Sequence, residues 1–134
     1  MDLKDLAPKA DTLEVILKHP LTGEALMNDG RDEEMTVTIW LPHTKAYKKA
    51  LYELTDSNLK LAEQDPEKVR KASYLANASL ELVSKVTKEW DITLDGGCPK
   101  FALAKVKEVY ENYPWIKKQV EKAVEDHQNF ITTS

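Results

Sequence analysis

Hydrophobic residues follow two different periods along this chain, and the change of period divides it. In the first third they alternate with polar ones. Leu13, Val15 and Leu17 are set between Glu14 and Lys18, with Ile16 blurring the pattern, and Met35, Val37, Ile39 and Leu41 are separated by Thr36, Thr38 and Trp40. Period two with β-branched residues predicts two strands. Pro20, Thr22 and Gly23, then Asn28, Asp29 and Gly30, mark turns between them. The gap is long for a tight hairpin, so the expectation is a wide antiparallel one, with a short extra strand near Ala25 to Met27.

From Thr44 the period becomes helical. Tyr47, Ala50, Leu51 and Leu54 fall on one helix face, and the Thr44 hydroxyl can accept an orphan N–H at the start. This helix is expected to run to about Gln64. Asp65 and Pro66 then suit the cap and first position of a second helix, carrying Val69, Ala72, Leu75, Ala76, Leu80, Val83 and Val86. The two helices are expected to pack as an antiparallel hairpin. Trp90, Ile92 and Leu94 alternate again, predicting a short third strand or an extended connector before Gly96 and Gly97. A third helix is expected from about Lys100 to Asn112, with Ala102, Val106, Val109 and Tyr110 on one face. Pro114 breaks it, because a proline pushes the preceding residue out of helical geometry. A fourth helix follows, with Ile116, Val120, Ala123, Val124 and His127 on one face. The expected fold is α+β: a small antiparallel N-terminal β-hairpin or sheet, then a bundle of about four helices. The whole chain, 1–134, reads as a single domain, with a lead-in over 1–10, a β-rich part over 11–42 and a helical part over 43–134.

Composition narrows the function classes. At 134 residues, 42% hydrophobic and 31% charged, the chain suits one globular domain. A formal net charge of -4 argues against a nucleic-acid binder, which carries a basic excess. The single cysteine, Cys98, cannot form an internal disulfide. The first 18 residues lack the apolar core and cleavage site of a signal peptide, and no stretch approaches the roughly 18 apolar residues of a membrane span. A cytosolic protein without a membrane partner is expected.

Candidate chemistry is sparse. His19, His43 and His127 have no second ligand at a metal-motif spacing, so no metal and no cofactor is expected. Cys98 reads as a partly buried, inert thiol or, with a histidine beside it in space, a nucleophile. A nucleophile elbow, a Walker motif and a dinucleotide-binding glycine motif are all missing. Asp29, Asp32, Glu33 and Glu34 are in the wrong order for an EF-hand and read as a solvated loop. No catalytic residue is assigned, and the expectation is a non-enzymatic protein.

The aromatics are more informative. Five of the ten lie from Phe101 onward. Tyr110, Tyr113, Trp115 and Phe130 either plug the core or form an interface, where aromatics are enriched. Trp40 lies on the strand face opposite Val37 and Ile39, which must be covered by a helix or a partner. With Ile116 and Val120 from the last helix, Trp40, Tyr110, Tyr113, Trp115 and Phe130 are the candidate protein-interaction residues.

The order of local features also carries a resemblance. Lys18-His19-Pro20-Leu21-Thr22-Gly23-Glu24-Ala25-Leu26 is followed by the strand at Thr36 to Leu41, then Pro42 and Thr44-Lys45-Ala46-Tyr47. Trp90-Asp91-Ile92 and Leu94-Asp95-Gly96 come next. The end reads Tyr113-Pro114-Trp115-Ile116-Lys117-Lys118-Gln119-Val120, then Asn129-Phe130. This ordered set, from Lys18 to Phe130, resembles the tail assembly chaperones of long-tailed bacteriophages and prophages. Gly97-Cys98, after Asp95-Gly96, departs from the pattern. The resemblance implies a helper that binds the tape measure protein, keeps that long helical chain soluble and promotes assembly of tail tube subunits around it. It further implies the host bacterial cytoplasm as location, absence from the mature virion, self-association, and in many relatives a longer frameshifted form as partner. The alternative is a structural tail or head–tail connector protein retained in the virion.

Overall fold

The alternating segments become strands of one antiparallel sheet. The computed structural model describes residues 2, 3 and 10–133, without the side chains of 129–133. Most of the expected lead-in therefore lies outside the described residues, as does the side chain of Phe130. Strands β1 (Thr12–Ile16) and β2 (Thr36–Trp40) pair with Val15 opposite Val37 and Leu13 opposite Ile39. Between them, Leu26 stitches the excursion to both flanks. Its N–H donates to Leu17 O at 2.9 Å, and its carbonyl accepts from Met35 N–H at 2.7 Å. The extra strand expected near Ala25 to Met27 is thus present as single bridges at Ala25 and Met27.

The turn at His19–Gly23 is self-contained. Nδ1 of His19 accepts from the N–H of Leu21 at 3.1 Å and of Thr22 at 3.3 Å, while Gly23 donates to His19 O at 2.9 Å. Gly23 takes φ +76°, a conformation that strongly favours glycine.

Helix α1 (Lys45–Gln64) starts as expected. Thr44 Oγ1 accepts from Tyr47 N–H at 3.2 Å and donates to Leu41 O at 2.7 Å. The second helix does not start at Pro66. The Asp65 carboxylate caps only one 3-10 turn, Lys68–Arg70, by accepting from Lys68 N–H at 3.2 Å. Lys71 is then extended (φ -72°, ψ 140°), so α2 spans Ala72–Lys85 and Val69 belongs to the turn.

A third strand, β3 (Thr87–Asp91), follows α2 and pairs antiparallel with β2, giving the order β1-β2-β3. The part expected to be helical, 43–134, therefore contains a strand. It begins earlier than Trp90 and includes that residue, while Ile92 and Leu94 lie beyond its end. The register slips between Thr38 and Ile39, which leaves Lys88 as the bulged residue. Helices α3 (Leu103–Asn112) and α4 (Pro114–Thr133) complete an α+β fold that has three antiparallel strands and four α-helices among the described residues. Val15, Val37 and Ile39 on the inner sheet face join Val83, Val106, Tyr110 and Val120 from the helices in one core.

Candidate functional site

Tyr113 and Trp115 flank the break between α3 and α4. Tyr113 (φ -127°, ψ 69°) has left the helix because Pro114 follows. Its N–H still closes α3 on Val109 O, and its carbonyl accepts from Ile116 N–H, both at 2.9 Å. The two rings meet edge to face, with centroids 6.3 Å apart at 74°, a favoured aromatic geometry. Tyr113 remains 36% exposed, and Trp115 is half-buried. They edge an apolar pocket of about 190 Å³, whose other walls include Leu26, Met35, Ile92 and Leu94.

Tyr110, Ile116 and Val120 are not surface residues, so their placement among the interaction candidates is corrected. They are 1%, 6% and 1% exposed, because they sit on the helix faces turned to the sheet. Thr87 Oγ1 lies 2.8 Å from Val83 O and 2.7 Å from the Tyr110 hydroxyl. Since Thr87 has one proton and gives it to Val83 O, Tyr110 donates to Thr87. Burial pushes the Tyr110 pKa from 10.0 up to about 12.

Trp40 lies on the outer sheet face, which no helix covers among the described residues, although Trp40 itself is half-buried and packs against the core. Glu14 and Ile16 are exposed there, Thr36, Thr38 and Trp40 are half-buried, and the Lys88 ammonium stands 5.0 Å from the centroid of the Trp40 ring. Of the candidate residues, the structure brings Tyr113 and Trp115 together and leaves Trp40 apart.

The α1–α2 hairpin presents a further exposed apolar surface that the sequence pattern does not single out. Between Ala50 and Val83 no side chain is fully buried; Leu80 and Leu82 pack against the core and α2 lies along α3, so it is the outer part of the α1–α2 hairpin that stands as an arm beyond the core. Its helices hold each other through a Tyr74–Asn58 hydrogen bond and a Lys85–Glu53 ion pair at 3.5 Å. Leu51, Tyr52, Leu59 and Leu75 are 38%, 62%, 60% and 58% exposed. At the arm's base a second pocket, of about 240 Å³, opens between α1, α2 and α4. The Lys117 ammonium bridges Ser79 Oγ (2.9 Å) and the Glu121 carboxylate (2.8 Å) at its edge. Burial and, less strongly, the Glu121 charge both raise the Tyr47 pKa there.

Cys98 is exposed rather than partly buried as expected, and its Sγ makes a hydrogen-bond contact with Pro99 O at 3.8 Å. His43 Nε2 is 3.3 Å from Asp11 Oδ1. The acidic loop is exposed as expected, and Arg31 ties it to β3 through Glu33 (3.1 Å) and Asp91 (2.7 Å). Among the described residues, no three His, Cys, Asp or Glu side chains gather where they could hold a metal ion, and no helix is long and apolar enough to cross a membrane.

The class defined by these features is an α+β domain whose sheet is backed by helices on one face and which extends a helical arm. Comparison with protein-family models, with curated proteins and with solved structures finds no match to this chain.

Proposed function

We propose that this protein is a non-enzymatic tail assembly chaperone of a long-tailed bacteriophage or prophage. It binds the tape measure protein in the host cytoplasm, promotes tail tube assembly and is released before the virion is complete. The observation that carries this is the hairpin that forms the arm: 32 consecutive positions, 51–82, without a fully buried side chain, yet with leucines and a tyrosine exposed along them. In the monomer this surface leaves leucine and tyrosine side chains in water, whereas a long amphipathic client helix would cover them together with its own apolar face. The ordered motifs from the His19–Gly23 turn to the Tyr113-Pro114-Trp115 break support the same reading, because each is a defined structural junction here. Self-association, contact with tail tube subunits and pairing with a longer frameshifted form belong to this proposal too.

Co-expression with the tape measure protein of the same phage is the test. The chaperone should raise the soluble yield of that client several-fold and should be missing from purified virions by mass spectrometry. Unchanged client solubility would remove the function, and recovery from virions would favour a structural tail or connector protein.

A further inference from the structure

We propose that the pocket at the base of the arm receives a lysine or arginine side chain carried on the apolar face of a partner helix. Its floor is aliphatic, formed by Val83, Val86, Val120 and Val124 with Ile39 of the sheet beneath. The charged groups lining it are Glu121 and Glu125. Glu121 is neutralised by Lys117 at 2.8 Å. Glu125 is exposed and has no ion pair among the described residues, so the mouth keeps an uncompensated negative charge beside an apolar floor.

A long basic side chain matches both parts. Its methylene stem lies on the valines and its cationic head stops at the carboxylate. An acidic occupant is repelled. An aliphatic one fills the floor but strips water from Glu125 without replacing it. The apolar strip also continues onto the arm. Leu51 is one helical turn beyond Tyr47, and Leu75 one turn from Ser79, on the same faces as those pocket residues. The partner surface is therefore an apolar helix face with a basic residue set into it. That this partner is a tape measure chain rests on the function proposed above; the pocket's chemistry does not.

Three six-carbon probes separate the possibilities in a titration of the 15N-labelled full chain followed by amide chemical shifts. Hexylammonium should shift the signals of Val83, Val86 and Val124, and hexanoate should not. Glu125→Gln should weaken hexylammonium binding about fivefold, the upper range for one exposed ion pair, while Glu14→Gln on the far sheet face changes nothing. Hexanol binding as tightly as hexylammonium, with Glu125→Gln without effect, would overturn the proposal and assign the pocket to an uncharged side chain. Shifts that appear on concentrating the protein alone, and vanish in Glu125→Gln, would instead make a second copy the occupant and overturn a separate partner. A successful titration beside a failed co-expression supports the pocket's chemistry and removes only the tape measure client.

Discussion

The side-chain amide of Gln119 exchanges two hydrogen bonds with the main chain of Lys18, 101 positions away. Lys18 N–H donates to Oε1, and Nε2 donates to Lys18 C=O, both at 2.8 Å. This is the pattern a neighbouring strand would make. Lys18 lies just past β1, whose ladder partners are all on β2, and an open strand edge invites pairing with other chains. One glutamine on α4 closes the edge at that point and seats α4 against the sheet. Lys18 precedes the His19–Gly23 turn and Gln119 follows the Tyr113-Pro114-Trp115 break, so two motifs at opposite ends of the sequence meet at one contact.

Gln119→Ala should therefore lower the unfolding free energy by about 1–2 kcal/mol, the loss of two solvent-accessible hydrogen bonds. Gln119→Glu keeps the acceptor for Lys18 N–H but has no donor for its carbonyl, and should cost a similar amount. Urea denaturation measures both, and amide exchange at Lys18 should quicken. A Gln119→Ala protein as stable as the parent would show that α4 is held by apolar packing alone.

Tyr110 ties stability to alkaline pH. Its folded pKa, about 12, lies above the unfolded 10.0, so folding favours the protonated phenol. The stabilisation is complete below pH 10 and is lost as pH rises toward 12, because the unfolded chain releases its proton first. At about 1.4 kcal/mol per unit, the loss is about 3 kcal/mol. Tyr110→Phe should cost about 1 kcal/mol near neutrality, for the bond to Thr87, and should flatten the decline between pH 10 and 12. Denaturation midpoints across that range decide it; equal slopes in the two proteins would refute the assignment.

Local signals in the sequence locate the elements well where the cause is local. The Thr44 cap, the Pro114 break and the alternation through Val37 and Ile39 each act within a few residues. β3 escapes full detection because Thr87, Lys88 and Glu89 show no apolar alternation. They form a strand only because β2, far away in sequence, offers a free ladder. The start of α2 fails for the opposite reason. Asp65 and Pro66 are a sound local start signal, but the turn they begin ends at the extended Lys71. For the site, grouping residues as aromatic obscured what spacing revealed. Tyr110 shares a face with Val106 and Val109 and is core; Tyr113, past the helix end, is not. Asn28 shows the limit of local inference. It reads as a turn residue, yet it is 3% exposed, accepts from Thr93 Oγ1 at 2.8 Å and donates toward the carbonyls of Glu34 and Asp91.

Ser84 offers a stabilising change. Its Oγ is buried without a hydrogen-bond partner among the described residues, and the residue is 2% exposed within α2. Removing an unpaired buried hydroxyl recovers its desolvation cost, and alanine has the better helix propensity. Ser84→Ala should raise stability by about 0.5–1.5 kcal/mol with the fold unchanged. Thermal and urea midpoints test this, and a lower midpoint would mean that the hydroxyl is satisfied in solution.

The arm separates stability from function. Tyr52, Leu59 and Leu75 are mostly exposed, so replacing all three with glutamine should change stability by less than about 1 kcal/mol, as surface substitutions do. If the arm covers the client, the same triple variant should lose most of its effect on tape measure solubility in co-expression. Ile116→Ala supplies the contrast. It opens a cavity in the core at 6% exposure, should cost about 2–4 kcal/mol, and should reduce client solubility only in proportion to the folded protein that remains. A triple variant that is fully folded and fully active would detach the arm from client binding and leave the Tyr113–Trp115 pocket as the surface to examine by substitution of Tyr113.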